Sequence, residues 1–257
     1  MVKEFLRKGY LFLVYAFLYA PIIVLAVYSF NDSKSRAKWD GFTLKWYEQL
    51  FQDPQIMKAL YYTVIIALLS ALIATVIGTM AAIGIHNMGA FSKSLIMNFT
   101  YLPVMNPDIV TGISLMILFI FANLRLGFLT MLLAHITFNI PYVILSVLPK
   151  LQQLNKHLFE AALDLGATPY YALRKVILPE IMPGIVTGAL LAFTLSIDDF
   201  VISFFTTGSG VSNLSITVYS MARRGINPKI NAVSTLMFVS VLLLLVIVNQ
   251  RTSKENT

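Results

Sequence analysis

The chain has 257 residues, of which 58% are hydrophobic and only 12% charged, with a mean hydropathy of +0.77, whereas soluble domains are about half apolar and a quarter charged. This composition excludes a soluble domain and places the chain in a membrane. The net charge of +7 comes from 19 basic residues scattered among membrane-flanking loops rather than gathered on one face, which excludes nucleic acid as a partner, and the lack of cysteine excludes disulfides, thiolate chemistry and a lipoprotein anchor.

Six stretches are apolar over roughly the 20 residues a crossing helix needs, at 9–30, 60–85, 95–122, 126–148, 176–205 and 231–249. An even number of spans leaves both termini on one side. The first stretch runs into Tyr28-Ser-Phe-Asn-Asp with no small-residue cleavage pattern, so it is expected to stay as an anchor. In the loop that follows, Trp46, Tyr47, Leu50 and Phe51 recur at helical spacing. They predict a short amphipathic helix, either at the membrane interface or as a lid packed over the spans.

The third stretch contains Pro103 and Pro107, each of which removes a backbone donor and clashes with the preceding turn. A break is predicted near Asn106, with Asn106 as the cap of a new helix, Pro107 at its first position and Asp108 in its first turn, at the positive end of the helix dipole. Non-helical backbone at membrane depth is tolerated only inside protein or beside a water-filled cavity. In the fourth stretch His135, with Asn139 one turn on, reads as a proton relay or as an interhelical hydrogen-bond partner, the second being preferred.

Between the fourth and fifth stretches lies a polar, glycine-broken segment, 155–179. Asn155 is expected to cap a helix through Leu165, Gly166 to take the left-handed position that ends it, and Thr168 to cap a second short helix with Pro169 at its first position. His157, Glu160, Ala161 and Asp164 fall on one face at three- and four-residue spacing. The fifth stretch opens with Pro179, Glu180 and Pro183 and ends in Asp198, Asp199 and Phe200, with Phe204 and Phe205 beyond.

Asp108, Asp198 and Asp199 thus lie within predicted spans, where an aspartate at the centre of a helix costs roughly 2.5–3.5 kcal/mol. Adjacent helical residues point about 100° apart, so one of Asp198 and Asp199 is expected to line a pathway and the other to bond within the bundle. No lysine or arginine lies at similar depth, which points to a cationic substrate. Phe200 and Phe204 can offer ring faces to an alkylammonium group or simply pack. There is no H-E-x-x-H, nucleophile elbow, metal-ligand cluster or phosphate loop, so no catalytic residue is assigned and the chain cannot itself hydrolyse ATP.

The run Glu160-Ala-Ala, Gly166 and Leu178-Pro179 resembles the EAA signature of permease subunits in bacterial ABC importers, with Val176 where isoleucine is usual. Asn106-Pro-Asp-Ile-Val, His135-Ile-Thr-Phe-Asn-Ile-Pro-Tyr, Leu195-Ser-Ile-Asp-Asp-Phe-Val-Ile-Ser-Phe-Phe and Tyr219-Ser-Met through Asn231-Ala resemble the permeases of spermidine/putrescine importers. The resemblance implies an all-α, six-helix, MetI-like type I importer fold in the bacterial inner membrane, with both termini cytoplasmic. That orientation places ten basic residues inside and nine outside. It also implies a PotB-like second permease, a PotA-like ATPase dimer that holds ATP and magnesium, a PotD-like extracytoplasmic binding protein and a polyamine cargo. Glu160, Ala161, Ala162, Asp164 and Gly166 would seat the ATPase, while Asp108, Asp198, Asp199, Phe200 and Phe204 would line the path. No cofactor or metal is implied for this chain. By this reading 1–56 form an anchor and outer loop, 57–248 the transport core, and 249–257 a cytoplasmic tail. An importer for another solute, or an ion-coupled secondary transporter using Asp and His as a relay, stands as the alternative.

Overall fold

The computed structural model describes residues 2–34, 38–155, 157–225 and 228–255. Among them the regular elements are all helical: α1 (Val2–Tyr28), α2 (Lys45–Phe51), α3 (Pro54–His86), α4 (Ala90–Met105), α5 (Asp108–Phe121), α6 (Phe128–Gln153), α7 (Leu158–Asp164), α8 (Pro169–Ala172), α9 (Leu178–Asp198), α10 (Val201–Thr206), α11 (Leu214–Arg224) and α12 (Pro228–Glu255), with a π turn over Leu173–Ile177 joining α8 to α9.

The chain divides into two compact units. The first holds residues 1–58 and 217–257. Its loop after α1 is tied down by Asn31, whose side-chain amide donates to the Lys38 carbonyl at 2.7 Å and whose Oδ1 accepts from the Asp40 amide at 3.0 Å. The Trp46 indole N–H donates to the Asn31 carbonyl at 2.7 Å, and Trp46 and Leu50 are buried while Phe51 stays exposed. The buried face of α2 thus packs within its own unit. Lys229 at the start of α12 pairs with Asp53 just before α3, at 3.1 Å.

The second unit, residues 59–216, is built on α6 and α9. Gly184, Gly188, Ala192 and Ser196 recur every four residues along α9 and all are buried. Small residues at this spacing let helix backbones approach closely, which is how helices associate where lipid removes the hydrophobic drive. A β-carbon on Gly184 would lie 2.9 Å from the Ser146 carbonyl oxygen on α6. Gly78 of α3 meets Val143 of α6 in the same way, at 2.7 Å from its Cβ. Ala71, Ala74, Val143, Val147, Ile181 and Ala192 form the apolar core around these crossings.

Among the described residues four helices are long and apolar enough to cross a membrane, and five if α4 and α5 count as one span. The expected sixth span, 231–249, lies partly outside the described residues. The described apolar part of α12, Pro228–Leu243, is shorter than a crossing helix, and the side chains of 244–249 lie outside the described residues. The break in the third stretch is present and sharp, since α4 and α5 meet at 106°. The fifth stretch differs at both ends. Its helix begins at Pro169 rather than near 176, because the π turn before Pro179 widens the backbone where that proline supplies no N–H, and helix continues across it. It stops at Asp198, short of the expected Phe205.

Candidate functional site

The stop after Asp198 separates the two adjacent acids. Asp199 has extended backbone (φ −63°, ψ 124°), and its carboxylate turns back over α10, accepting from the Ile202 amide at 3.1 Å and the Ser203 amide at 2.7 Å. Its side chain is 7% exposed, whereas Asp198 is exposed at the last position of α9. His135 of α6, 2% exposed, places Nε2 at 2.9 Å from Ser203 Oγ and 3.5 Å from Asp199 Oδ2. The Asn213 side-chain amide donates to Ser203 Oγ at 2.8 Å and to the Asp199 carbonyl at 2.9 Å. His135 is thus an interhelical hydrogen-bond partner. Of the two adjacent acids Asp199 is the one that bonds within the bundle, held by the Ile202 and Ser203 amides with His135 beside them, so its expected place along the path is corrected.

Asp108 opens α5 and is exposed. The cap residue is Pro107 rather than Asn106, with no side-chain bond to the first turn, because Asn106, with extended backbone, is the C-cap of the preceding helix. Asp108 nevertheless stands in the first turn, beside N–H groups that have no intrahelical partner. Among the described residues no cationic side chain pairs with Asp108 or Asp198. Phe200 is half-buried and Phe204 half-exposed, their ring centroids 5.5 Å apart. Gly112 lets α5 approach α10, since a β-carbon there would sit 3.0 Å from Phe205 Cδ2.

A second polar cluster went unread in the sequence apart from Asn139. The Asn139 amide donates to Ser196 Oγ at 2.8 Å, and Ser196 Oγ lies 3.0 Å from Ser70 Oγ, so three helices share one buried knot. The signal that could have found Ser196 is its place in the four-residue run of small residues.

In the polar segment, α7 starts later than expected. His157, not Asn155, is its cap residue, because Asn155 Oδ1 spends its bond on the His157 amide at 3.0 Å in a local turn. His157 consequently stands before the helix, with Nδ1 at 3.0 Å from Glu160 Oε2. The end of α7 is as read: Gly166 has φ +85°, its N–H donates to the Leu163 carbonyl at 2.8 Å, and the Ala167 N–H donates to the Ala162 carbonyl at 3.1 Å. This pair of bonds closes a helix on a left-handed glycine. Thr168 then caps α8, accepting from the Tyr171 amide at 3.3 Å, with Pro169 at the first position. Glu160, Ala161, Asp164 and Gly166 are exposed and Ala162 is half-buried; Leu165, 90% exposed, stands at the tip. Behind α7 lies a cavity of ≈ 480 Å³ lined by residues that include His86, Phe159, Glu160 and Tyr170.

A family model described as "Binding-protein-dependent transport system inner membrane component" matches residues 74–251. The chain is 39% identical over 256 residues to the spermidine/putrescine transport system permease protein PotC of Haemophilus influenzae, covering 100% of both chains. It is 41% identical over 250 residues to the putrescine transport system permease protein PotI of Escherichia coli, covering 94% of this chain and 88% of that one. Among solved structures, a bacterial ABC transporter that imports the acidic polysaccharide alginate superposes with a TM-score of 0.75 at 17% identity, covering 98% of this chain and 96% of that one. The methionine ABC transporter MetNI in an inward-facing form gives 0.64 at 19% identity, covering 84% and 100%. These structures show that the fold is that of ABC importer permeases, and the chain belongs to the family of binding-protein-dependent transport system inner membrane components.

Proposed function

We propose that the chain is the permease subunit of an ATP-driven importer of polyamines, spermidine or putrescine, and supplies half of the path across the bacterial inner membrane. The observation that carries this reading is the pair Asp108 and Asp198, two exposed carboxylates at helix breaks within apolar stretches and without a cationic partner among the described residues, in a chain that matches PotC from end to end. Alkyl amines titrate near 10.4, as lysine does, so a polyamine arrives as a chain of ammonium groups. A few spaced carboxylates attract such a cation and still release it, because transport fails if a site holds too tightly. Phe200 and Phe204 add ring faces to the same path.

Coupling is assigned to 155–179 within a transport core at 57–248. Exposed Glu160, Ala161 and Asp164, half-buried Ala162 and the turn at Gly166 form the seat for an ATPase of the PotA kind, which brings ATP and magnesium; this chain holds neither. A PotB-like permease supplies the other half of the path, a PotD-like protein delivers the cargo, and both termini face the cytoplasm. The reading is tested in cells that lack their own polyamine uptake and carry the complete importer. Uptake of labelled spermidine or putrescine should appear with all subunits present and vanish without this chain. Uptake of another solute alone would refute the substrate assignment and leave the permease assignment standing.

A further inference from the structure

We propose that His135 is a positioning residue of the cation path: it holds Asp199 inside the bundle, fixes the break after α9, and so leaves Asp198 as the acid of the pair that meets the cargo. The identity of the cargo rests on the reading above; the division of labour between the two acids rests on geometry alone.

His135 Nδ1 is buried and has no hydrogen-bond partner. An orphaned lone pair is tolerated better than an orphaned N–H, so the neutral ring carries its proton on Nε2 and donates it. The nearest acceptor is Ser203 Oγ at 2.9 Å. That oxygen also accepts from the Asn213 side chain at 2.8 Å, so both of its lone pairs are filled. Ser203 also donates its backbone amide to Asp199 Oδ2 at 2.7 Å, so a ring that fixes the Ser203 side chain fixes a donor to the carboxylate. His135 therefore acts on Asp199 through Ser203 more than directly, the direct separation of 3.5 Å being long for a hydrogen bond.

Three donors face Asp199, two backbone amides of α10 and the more distant imidazole of α6. Asn213 adds the strap before α11 by bonding the Asp199 carbonyl. A carboxylate so enclosed cannot reach an open path without breaking its own bonds. Asp198, one residue earlier, ends α9 where unpaired backbone carbonyls favour a cation.

The test uses the complete importer in proteoliposomes, and it exploits the lack of cysteine in this chain, so that Asp198→Cys and Thr206→Cys each give it a single thiol. A charged, membrane-impermeant methanethiosulfonate reagent should label the Asp198→Cys variant, whereas the Thr206→Cys variant, fully buried on α10, stays protected. Adding His135→Leu should raise labelling of the Thr206→Cys variant about tenfold, while His135→Gln, which keeps an N–H near the place of Nε2, should leave it protected. Ser203→Ala removes the hydroxyl by which His135 holds Ser203 and should behave as His135→Leu does; it carries the test if that variant does not assemble. In uptake, Asp199→Asn combined with His135→Leu should be no worse than the poorer single variant, whereas Asp198→Asn should multiply with either. A protected Asp198→Cys variant, or multiplicative losses from Asp199→Asn and His135→Leu, would overturn the proposal. The labelling arm needs no polyamine, so it stands or falls separately from the substrate assignment.

Discussion

Gly188 on α9 lies against the backbone of Val143 on α6, so close that a β-carbon on it would sit 3.1 Å from the Val143 Cα and 3.3 Å from Ser146 Cβ. Neither backbone can move without separating the two helices that hold the core. Gly188→Leu is expected to destabilise the protein by about 1–3 kcal/mol through overpacking, and Gly188→Ala by less, since a single methyl needs a shift of only a few tenths of an ångström. Thermal unfolding of the detergent-solubilised importer checks this. Equal midpoints for the wild type and the leucine variant would contradict the close packing.

The turn at Gly166 gives a second expectation. At φ +85° a side chain is strained, and proline, locked near −65°, also deletes the N–H that bonds the Leu163 carbonyl. Gly166→Pro should lower transport and substrate-stimulated ATP hydrolysis together, and Glu160→Arg should do the same by placing the wrong charge at the docking seat. Normal coupling in an assembled importer carrying either change would remove the segment from the docking role.

The Asp53–Lys229 pair is expected to make stability depend on acidity. Burial pushes the Asp53 carboxyl up, but the Lys229 ammonium and the Ile56 and Gln55 amides outweigh it and hold the group below the usual carboxylate range. An acid with a depressed folded value stabilises fully above its unfolded value, about 3.9, and loses that contribution as the pH falls through the folded one. Asp53→Asn should therefore cost about 0.5–1 kcal/mol at neutral pH, with the gap to wild type closing below about pH 4. Unfolding midpoints of both proteins across that range decide it, and a gap that widens on acidification would be the contrary result.

What could be read from the sequence was local. The Gly166 turn, the Thr168 cap and the bend before Asp108 each depend on two or three neighbouring residues whose backbone preferences agree. Where a residue had two uses the reading slipped: Asn155 bonds its own turn instead of the helix, and Asn106 ends one helix instead of starting the next. The enclosure of Asp199 was out of reach, because its partners lie on α6 and in the strap before α11, and no glycine or proline marks the break at 199–200. Pro179, near the expected start of the fifth stretch, did not interrupt the helix, since a π turn absorbed its missing donor and the helix runs on from Pro169. The small-residue run on α9 was present in the sequence, but which helix it packed against was settled only in three dimensions.

The central claim is that exposed acids at the two helix breaks attract a polyammonium cargo, and charge deletion measures this most directly. Asparagine keeps the size and hydrogen bonding of aspartate and removes only its charge. In the complete importer at normal abundance, Asp108→Asn and Asp198→Asn should each slow uptake of labelled polyamine about tenfold, the change that 1.4 kcal/mol would produce, and the double variant should slow it further. Wild-type uptake in the double variant would contradict the account.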